Sequence, residues 1–157
     1  MNPHPPDVIR VFVENEAGLA VKNHFDEKVI EWLRSEKVSR PYPYPYGFIL
    51  ETTSGDGDNL DCFVLTSTQL RSGTIVACRP VGLLEQTEAG LRDHNVLAVP
   101  VGEQFAIPID TVRQTLTDFM LHVFRGQPSR QIEVGQLLGE VAAREEISRC
   151  RDLIRQG

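Results

Sequence analysis

The stretch Asp56-Gly57-Asp58-Asn59-Leu60-Asp61, followed by Cys62-Phe63-Val64-Leu65, joins a turn with three carboxylates to an apolar, β-prone run. Leu60–Leu65 is therefore predicted to be a strand that begins beside the acidic turn. Three carboxylates within six positions raise one another's pKa unless cations lie among them. An EF-hand loop is excluded, because Leu60 and Asp61 fall where that loop needs a ligand and a glycine. With a solvated acidic turn as the alternative, the stretch predicts a hard-cation site suited to Mg²⁺ and phosphate oxygens.

Upstream of this turn, short β-prone runs alternate with turns. Residues 8–14 are predicted to form a strand that ends at Glu14, and residues 19–25 and 28–33 are two shorter strand candidates. The second candidate fits a helical turn equally well. Pro41-Tyr42-Pro43-Tyr44-Pro45-Tyr46-Gly47 is predicted to be extended and stiff, because its prolines fix φ and remove backbone donors. Another strand is predicted from Phe48 to Thr52.

Downstream, further strands are predicted over residues 74–84 and 96–99, and then the periodicity changes. Apolar residues recur at helical spacing from Ile109 to Val123, with Asp110 as a candidate N-cap and Gly126 as a stop. A second helix is predicted from about Glu133 to Arg155. This order of elements favours an α+β, mainly β fold in one domain over residues 1–157: a small closed β-barrel with two C-terminal helices packed outside.

The composition narrows the range of functions. The 157 residues include 16 basic and 22 acidic side chains, a net charge of −6, which argues against a nucleic-acid partner. The apolar runs are far shorter than the roughly 20 residues that a membrane-spanning helix needs, so no membrane partner is expected. Three scattered cysteines without a CxxC pair, and no signal peptide, favour a reducing cytoplasm. A small anionic ligand would need metal ions to neutralise the excess acid locally.

The motifs together carry a family resemblance. The acidic turn is preceded by Tyr-Pro-Tyr-Pro-Tyr-Gly-Phe-Ile at 42–49 and followed by Cys-Arg-Pro-Val-Gly at 78–82 and Leu-Ala-Val-Pro at 97–100. From about Ile9 to Arg125 the chain resembles the soluble family I inorganic pyrophosphatases, whose motif reads Asp-x-Asp-Pro-x-Asp. Asn59 stands at the position of the family's usual proline. The resemblance implies a five-stranded, OB-like barrel and hydrolysis of pyrophosphate by a metal-activated water.

The resemblance also implies roles for particular residues. Metal ligands are expected at five carboxylates: Asp56, Asp61, Asp93, Glu14 and Glu88. Asp58 matches the acid that orients or deprotonates the attacking water, and Tyr46 is placed with it in the catalytic group. The groups expected to bind phosphate are Lys22, Arg34, Tyr46 and Tyr42. Mg²⁺ is the expected cofactor, with Mn²⁺ or another divalent ion possible, and the bacterial members of the family suggest a homo-oligomer.

Several positions depart from the family pattern. Glu88 stands for the family's Asp, His24 for a Glu, Asn95 for a Lys, and Val123-Phe124 for a Tyr-Lys pair. The phosphate-binding side has therefore lost about two cations and a phenol, which Arg92, Arg125 or Arg130 could replace. Two alternatives stay open beside a pyrophosphatase: a phosphohydrolase for another phosphate compound, and a weakly active or inactive protein that binds phosphate or metal.

Overall fold

The computed structural model describes residues 8–55, 57–124 and 131–152. Within these ranges the chain forms nine strands and two helices. In chain order they are β1 (Ile9–Asn15), β2 (Val21–Asp26), β3 (Glu31–Lys37), β4 (Tyr46–Ile49), β5 (Asp61–Val64), β6 (Ile75–Glu88), β7 (Leu91–Arg92), β8 (Asn95–Pro100), α1 (Ile109–His122), β9 (Ile132–Leu138) and α2 (Glu140–Cys150).

Five strands close into a barrel. Their order is β1-β4-β5-β8-β6, and β6 pairs back with β1, so that the sheet has no free edge in this circuit. The β5–β8 pair is parallel, whereas the other four pairs of the circuit are antiparallel. β6 has 14 residues and extends beyond the barrel, where it also pairs with β7 and β9. The expected closed five-stranded barrel is confirmed.

Alternate residues of the barrel strands build two apolar clusters. Cys62 and Val64 of β5 belong to a cluster that draws on all five barrel strands, as a barrel interior does, and Ile147 of α2 packs against it. Phe63 of β5 points the other way, into a second cluster that Leu116 of α1 helps to cover. Both helices thus pack against the barrel. No helix in the described ranges is long and apolar enough to cross a membrane.

The predicted second helix is wrong over its first half. Residues 132–138 form β9, which pairs antiparallel with β6 and alternates half-buried Ile132 and Val134 with exposed neighbours. The helix starts only after Gly139, whose extended backbone is its N-cap. The N-cap of α1 is Pro108, so Asp110 lies within the first helical turn, where its charge suits the positive end of the helix dipole. The second helix was also predicted to be too long at its C-terminal end, because α2 ends at Cys150 and Arg151 adopts an extended backbone that pairs with Thr52. Gly126, the predicted stop of the first helix, lies outside the described residues.

β2 and β3 form a separate antiparallel hairpin, hereafter the β2–β3 hairpin. The helical alternative for residues 28–33 is wrong, because the chain turns at Val29 and Ile30 and enters β3 at Glu31. Asn23 ties the hairpin to the end of β1: its Nδ2 donates to the Glu14 carbonyl at 2.8 Å, and its N–H donates to Asn15 Oδ1 at 2.6 Å. This tie holds the hairpin beside Glu14.

A strand was predicted from Phe48 to Thr52, whereas β4 begins earlier, at Tyr46, and ends earlier, at Ile49. It stops at Ile49, and Glu51 adopts a positive φ of 63° that is incompatible with a continuing strand. Gly47 allows β4 to approach β1 closely, since a Cβ there would lie 1.8 Å from the carbonyl oxygen of Phe12. The backbone of Tyr46 is therefore held against β1 by a contact that only glycine permits.

Gly47→Ala should destabilise the protein by about 2 kcal/mol or more, because the added methyl group forces two paired barrel strands apart. Gly55→Ala is the matched control: a Cβ there meets no atom within 4 Å, and we expect a change within about 0.5 kcal/mol. Chemical denaturation of both variants measures the difference. Equal stabilities would contradict the close approach of β4 and β1.

Candidate active site

A cavity of about 260 Å³ opens where the end of β1, the β2–β3 hairpin, the start of β5 and the end of α1 meet. We call it the acidic cavity, because six carboxylates line it: Glu14, Glu27, Asp58, Asp61, Glu88 and Asp93. Among the described residues that line it, Lys22 is the single Lys or Arg. The cavity thus combines a large negative charge with little compensating positive charge.

The parallel β5–β8 pair brings two of these acids together. Asp61 begins β5 and lies in register with Asn95, the first residue of β8, while Asp93 comes two residues before Asn95. Parallel strands start at the same edge of a sheet, so both carboxylates reach the same end of the barrel. Burial, and next the charge of Asp93, hold the pKa of Asp61 well above its ordinary value.

Glu14 and Glu27 are held on the hairpin side of the cavity. Burial raises the pKa of Glu14 from 4.5 to about 7, although the Lys22 ammonium opposes the shift. The pKa of Glu27 rises from 4.5 to about 8, through burial and then through the charges of Glu14 and Asp58. Glu27 was not anticipated from the sequence, because it matches no motif and its neighbours mark only a polar turn.

Two tyrosines and Lys22 form one wall. Lys22 Nζ lies 5.2 Å from the centre of the Tyr46 ring, and the rings of Tyr46 and Tyr42 are 5.5 Å apart. Burial and the charges of Asp61 and Asp93 raise the pKa of Tyr46 well above 10. Its phenol therefore stays protonated at neutral pH and can donate a hydrogen bond into the cavity.

Gln86 is a second residue that sequence reasoning missed. Its Nε2 donates to Asp93 Oδ2 at 3.2 Å, and its Oε1 accepts from Asn95 Nδ2 at 3.1 Å. Asn95 is only 1% exposed and does not line the acidic cavity. Where the family places a cation, this chain has a neutral amide that fixes the orientation of Gln86 and, through it, of Asp93.

The remaining predicted residues are placed unevenly. Asp58 and Glu88 line the acidic cavity. Arg34 does not: it is largely exposed on β3, opposite His24 in the hairpin register. His24 does line the cavity, and its Nε2 lies 2.9 Å from Glu36 Oε1. Asp56 lies outside the described residues.

The candidate replacement cations are not at the cavity among the described residues. Arg92 forms a two-point ion pair with the buried carboxylate of Glu146, at 2.6 and 3.3 Å, and does not line the acidic cavity. Arg125 and Arg130 lie outside the described residues. Val123 and Phe124, where the family has a Tyr-Lys pair, do line the cavity and add apolar surface to it.

The donor set fits a hard divalent cation. All six acids offer carboxylate oxygens, which Mg²⁺, Ca²⁺ and Mn²⁺ prefer as ligands, and the described lining contains no cysteine that would favour a softer metal. Within the described parts of the chain, no three acidic, histidine or cysteine side chains already converge tightly enough to bind one ion. Mg²⁺ commonly takes only one or two carboxylates, with water and substrate phosphates as its other ligands.

The raised carboxylate pKa values predict how stability depends on pH. Between about pH 4.5 and pH 8 the folded, metal-free protein holds protons on Glu14 and Glu27 that the unfolded chain releases. Because the folded state binds more protons, its free energy of unfolding should fall as the pH rises through this window. Denaturation of EDTA-treated protein across the window measures the slope, which Glu27→Gln should make shallower. A free energy of unfolding that rises with pH would contradict this assignment.

Comparison with known proteins agrees with this geometry. A family model for inorganic pyrophosphatase matches residues 11–155. The inorganic pyrophosphatase of Saccharolobus solfataricus is 30% identical, over 97% of this chain and 95% of that protein, and the one from Nostoc sp. is 33% identical over 85% and 82%. The solved inorganic pyrophosphatase of Thermus thermophilus matches with a TM-score of 0.79 at 28% identity, covering 92% of this chain and 90% of that one. The chain therefore belongs to the inorganic pyrophosphatase family.

Proposed function

We propose that this protein hydrolyses inorganic pyrophosphate to two orthophosphates with the help of divalent cations, of which Mg²⁺ is the expected one. The observation that carries the proposal is the meeting of Asp61 and Asp93 at the parallel β5–β8 edge, beside Lys22 and the Tyr46 phenol. Membership of the inorganic pyrophosphatase family supports the substrate.

Different residues of the cavity would have different roles in the reaction. The divalent ions, when bound, would lower the pKa of a water from about 16 to about 7 and neutralise phosphate charge. Asp61 and Asp93, with Asp56 and Glu88, would hold the ions at the barrel edge, and Gln86 would keep Asp93 in orientation. Glu14 would bind a cation that arrives with the substrate.

Catalysis then requires one proton transfer and one bond exchange. Asp58 would accept a proton from the attacking water as its oxygen bonds to one phosphorus, and the bond from that phosphorus to the bridging oxygen breaks. Lys22 and the protonated Tyr46 would bind the phosphate that leaves, on which negative charge grows. Tyr42 supports the Tyr46 ring, and Arg34, exposed on β3, would reach only the outer part of the substrate.

The decisive assay measures phosphate released from pyrophosphate by the purified protein with Mg²⁺, with Mn²⁺ and with excess EDTA. We expect turnover with either metal and none with EDTA. Absence of phosphate release under every metal condition would contradict the proposal and favour a protein that binds phosphate or metal without catalysis. The homo-oligomer expected from the family stays a prediction, which sedimentation of the same preparation would check.

A second candidate function is hydrolysis of a different phosphate compound. Val123 and Phe124 line the cavity where the family has a phenol and a cation, and this change alters the wall that would contact the substrate. A panel of phosphate monoesters and nucleoside diphosphates, assayed beside pyrophosphate, separates the two candidates. A kcat/KM that is highest for one of these compounds would favour the second candidate.

Asp61→Asn and Asp58→Asn should fail in different ways. Asp61 is proposed as a ligand, so its loss should weaken metal binding, whereas loss of Asp58 should lower kcat by about 10²–10⁴-fold with metal still bound. Calorimetric titration of both variants with Mg²⁺, together with their turnover of pyrophosphate, measures the two effects. Equal loss of metal affinity in both variants would contradict this division of roles.

A further inference from the structure

Glu27 lies at the tip of the β2–β3 hairpin and points into the acidic cavity. Its Oε1 accepts the backbone N–H of Asn59 at 2.9 Å. Within the described chain, Oε2 has no hydrogen-bond partner. One oxygen therefore fixes the side chain, and the other remains available inside a cavity that Glu14 and Asp58 also line.

Asn59 makes this arrangement possible. Besides the N–H that Glu27 accepts, Asn59 offers its Oδ1 to the Lys28 ammonium at 2.5 Å. Lys28 Nζ also donates to the Thr52 carbonyl and to Thr53 Oγ1, each at 3.0 Å. Glu27 and Lys28 of the hairpin therefore both contact Asn59, and these two contacts hold the acidic turn against the hairpin.

The residue that the family usually has at this position could not do the same. Proline has no backbone N–H and no side-chain oxygen, so it could neither donate to Glu27 nor accept from Lys28. The contacts of Glu27 and Lys28 therefore depend on the asparagine at position 59, although 31 positions separate Lys28 from Asn59.

At position 24 the hairpin has a histidine in place of a carboxylate. His24 faces the cavity from β2, at the position where the family has a glutamate, and its ring nitrogen is engaged with Glu36 at 2.9 Å. An imidazole that contacts Glu36 in this way does not provide a hard oxygen ligand. Three residues further along the same hairpin, Glu27 brings a carboxylate back to the cavity.

We propose that Glu27, oriented by the Asn59 N–H, is a cation-binding residue of the acidic cavity and serves with Glu14 the divalent ion that accompanies the substrate. The inference rests on the proposed metal-dependent function. A pair of carboxylates suits Mg²⁺, which completes its shell with water and phosphate oxygens. Glu27 thus supplies the cavity with a carboxylate three residues along the hairpin from the position where the family has a glutamate.

Binding of Mn²⁺ alone, followed by electron paramagnetic resonance on metal-free protein, tests this without relying on activity. We expect Glu27→Gln to weaken the binding of one Mn²⁺ by about 10–100-fold. Glu31→Gln is the matched control, because it removes an exposed carboxylate from the same hairpin outside the cavity, and it should bind Mn²⁺ as the parent does. Mn²⁺ affinity in Glu27→Gln equal to that of the parent would overturn the proposal.

Two further variants test the mechanism of orientation and exclude misfolding. Asn59→Pro removes the N–H and should weaken Mn²⁺ binding in the same direction as Glu27→Gln. The double variant His24→Glu/Glu27→Gln should recover Mn²⁺ affinity, which a protein damaged by Glu27→Gln could not do. Parent affinity in Asn59→Pro, or no recovery in the double variant, would contradict the proposed exchange of positions.

Failure of this inference and failure of the proposed function are distinguishable. If the parent protein hydrolyses pyrophosphate but Glu27→Gln binds Mn²⁺ normally, only the role of Glu27 is wrong. If the parent releases no phosphate but loses Mn²⁺ affinity on Glu27→Gln, the cation site stands and the proposed reaction is wrong.

Discussion

The burial of six carboxylates in one cavity is the constraint on which the rest of this structure depends. Lys22 is the single lysine or arginine in the described lining, so little positive charge offsets these acids. Burial first, and then the charges of neighbouring acids, raise the pKa values of Glu14, Glu27 and Asp61. Divalent cations, as proposed above, would offset the cost of burying these carboxylates by neutralising the acids and would supply positive charge for phosphate.

The barrel is arranged to hold these acids in place despite their repulsion. The parallel pair β5–β8 sets Asp61 beside Asp93, and the antiparallel neighbours on both sides leave neither strand free to shift its register. Gly47 lets β4 approach β1, which positions Tyr46. The hairpin is held at two places: Asn23 of β2 contacts Glu14, and Lys28 in the turn contacts Asn59 of the acidic turn.

The barrel strands could be predicted from local patterns, whereas the cavity residues outside the acidic turn were expected only from the family resemblance. Apolar, β-prone runs mark β1, β5, β6 and β8, and the three acids of the acidic turn by themselves predict a cation site. β9 was missed because Leu137 and Leu138 continue a spacing that also fits a helix, and only the pairing of β9 with β6 decides between the two. Gly135 and Gly139 were the available warning, since glycine is unfavourable within a helix.

Glu27 and Gln86 could not be predicted from local patterns, because each owes its role to a distant partner. Glu27 depends on Asn59 and Gln86 on Asn95, and both partners are positions where the chain departs from the family. Two departures that look like losses in a sequence comparison, Asn59 and Asn95, are therefore the hydrogen-bond partners of cavity residues here. In this cavity Asn59 orients the carboxylate of Glu27, and Asn95, through Gln86, orients that of Asp93.

The central claim is that the acidic cavity binds divalent cations at two separate places, the Asp61–Asp93 edge and the Glu14–Glu27 side. Anomalous scattering from crystals soaked in Mn²⁺ and a non-hydrolysable pyrophosphate analogue tests it most directly. The account predicts anomalous peaks within about 2.0–2.6 Å of carboxylate oxygens at both places. Crystals that contain the bound analogue but lack a metal peak at one or both of these places would contradict it.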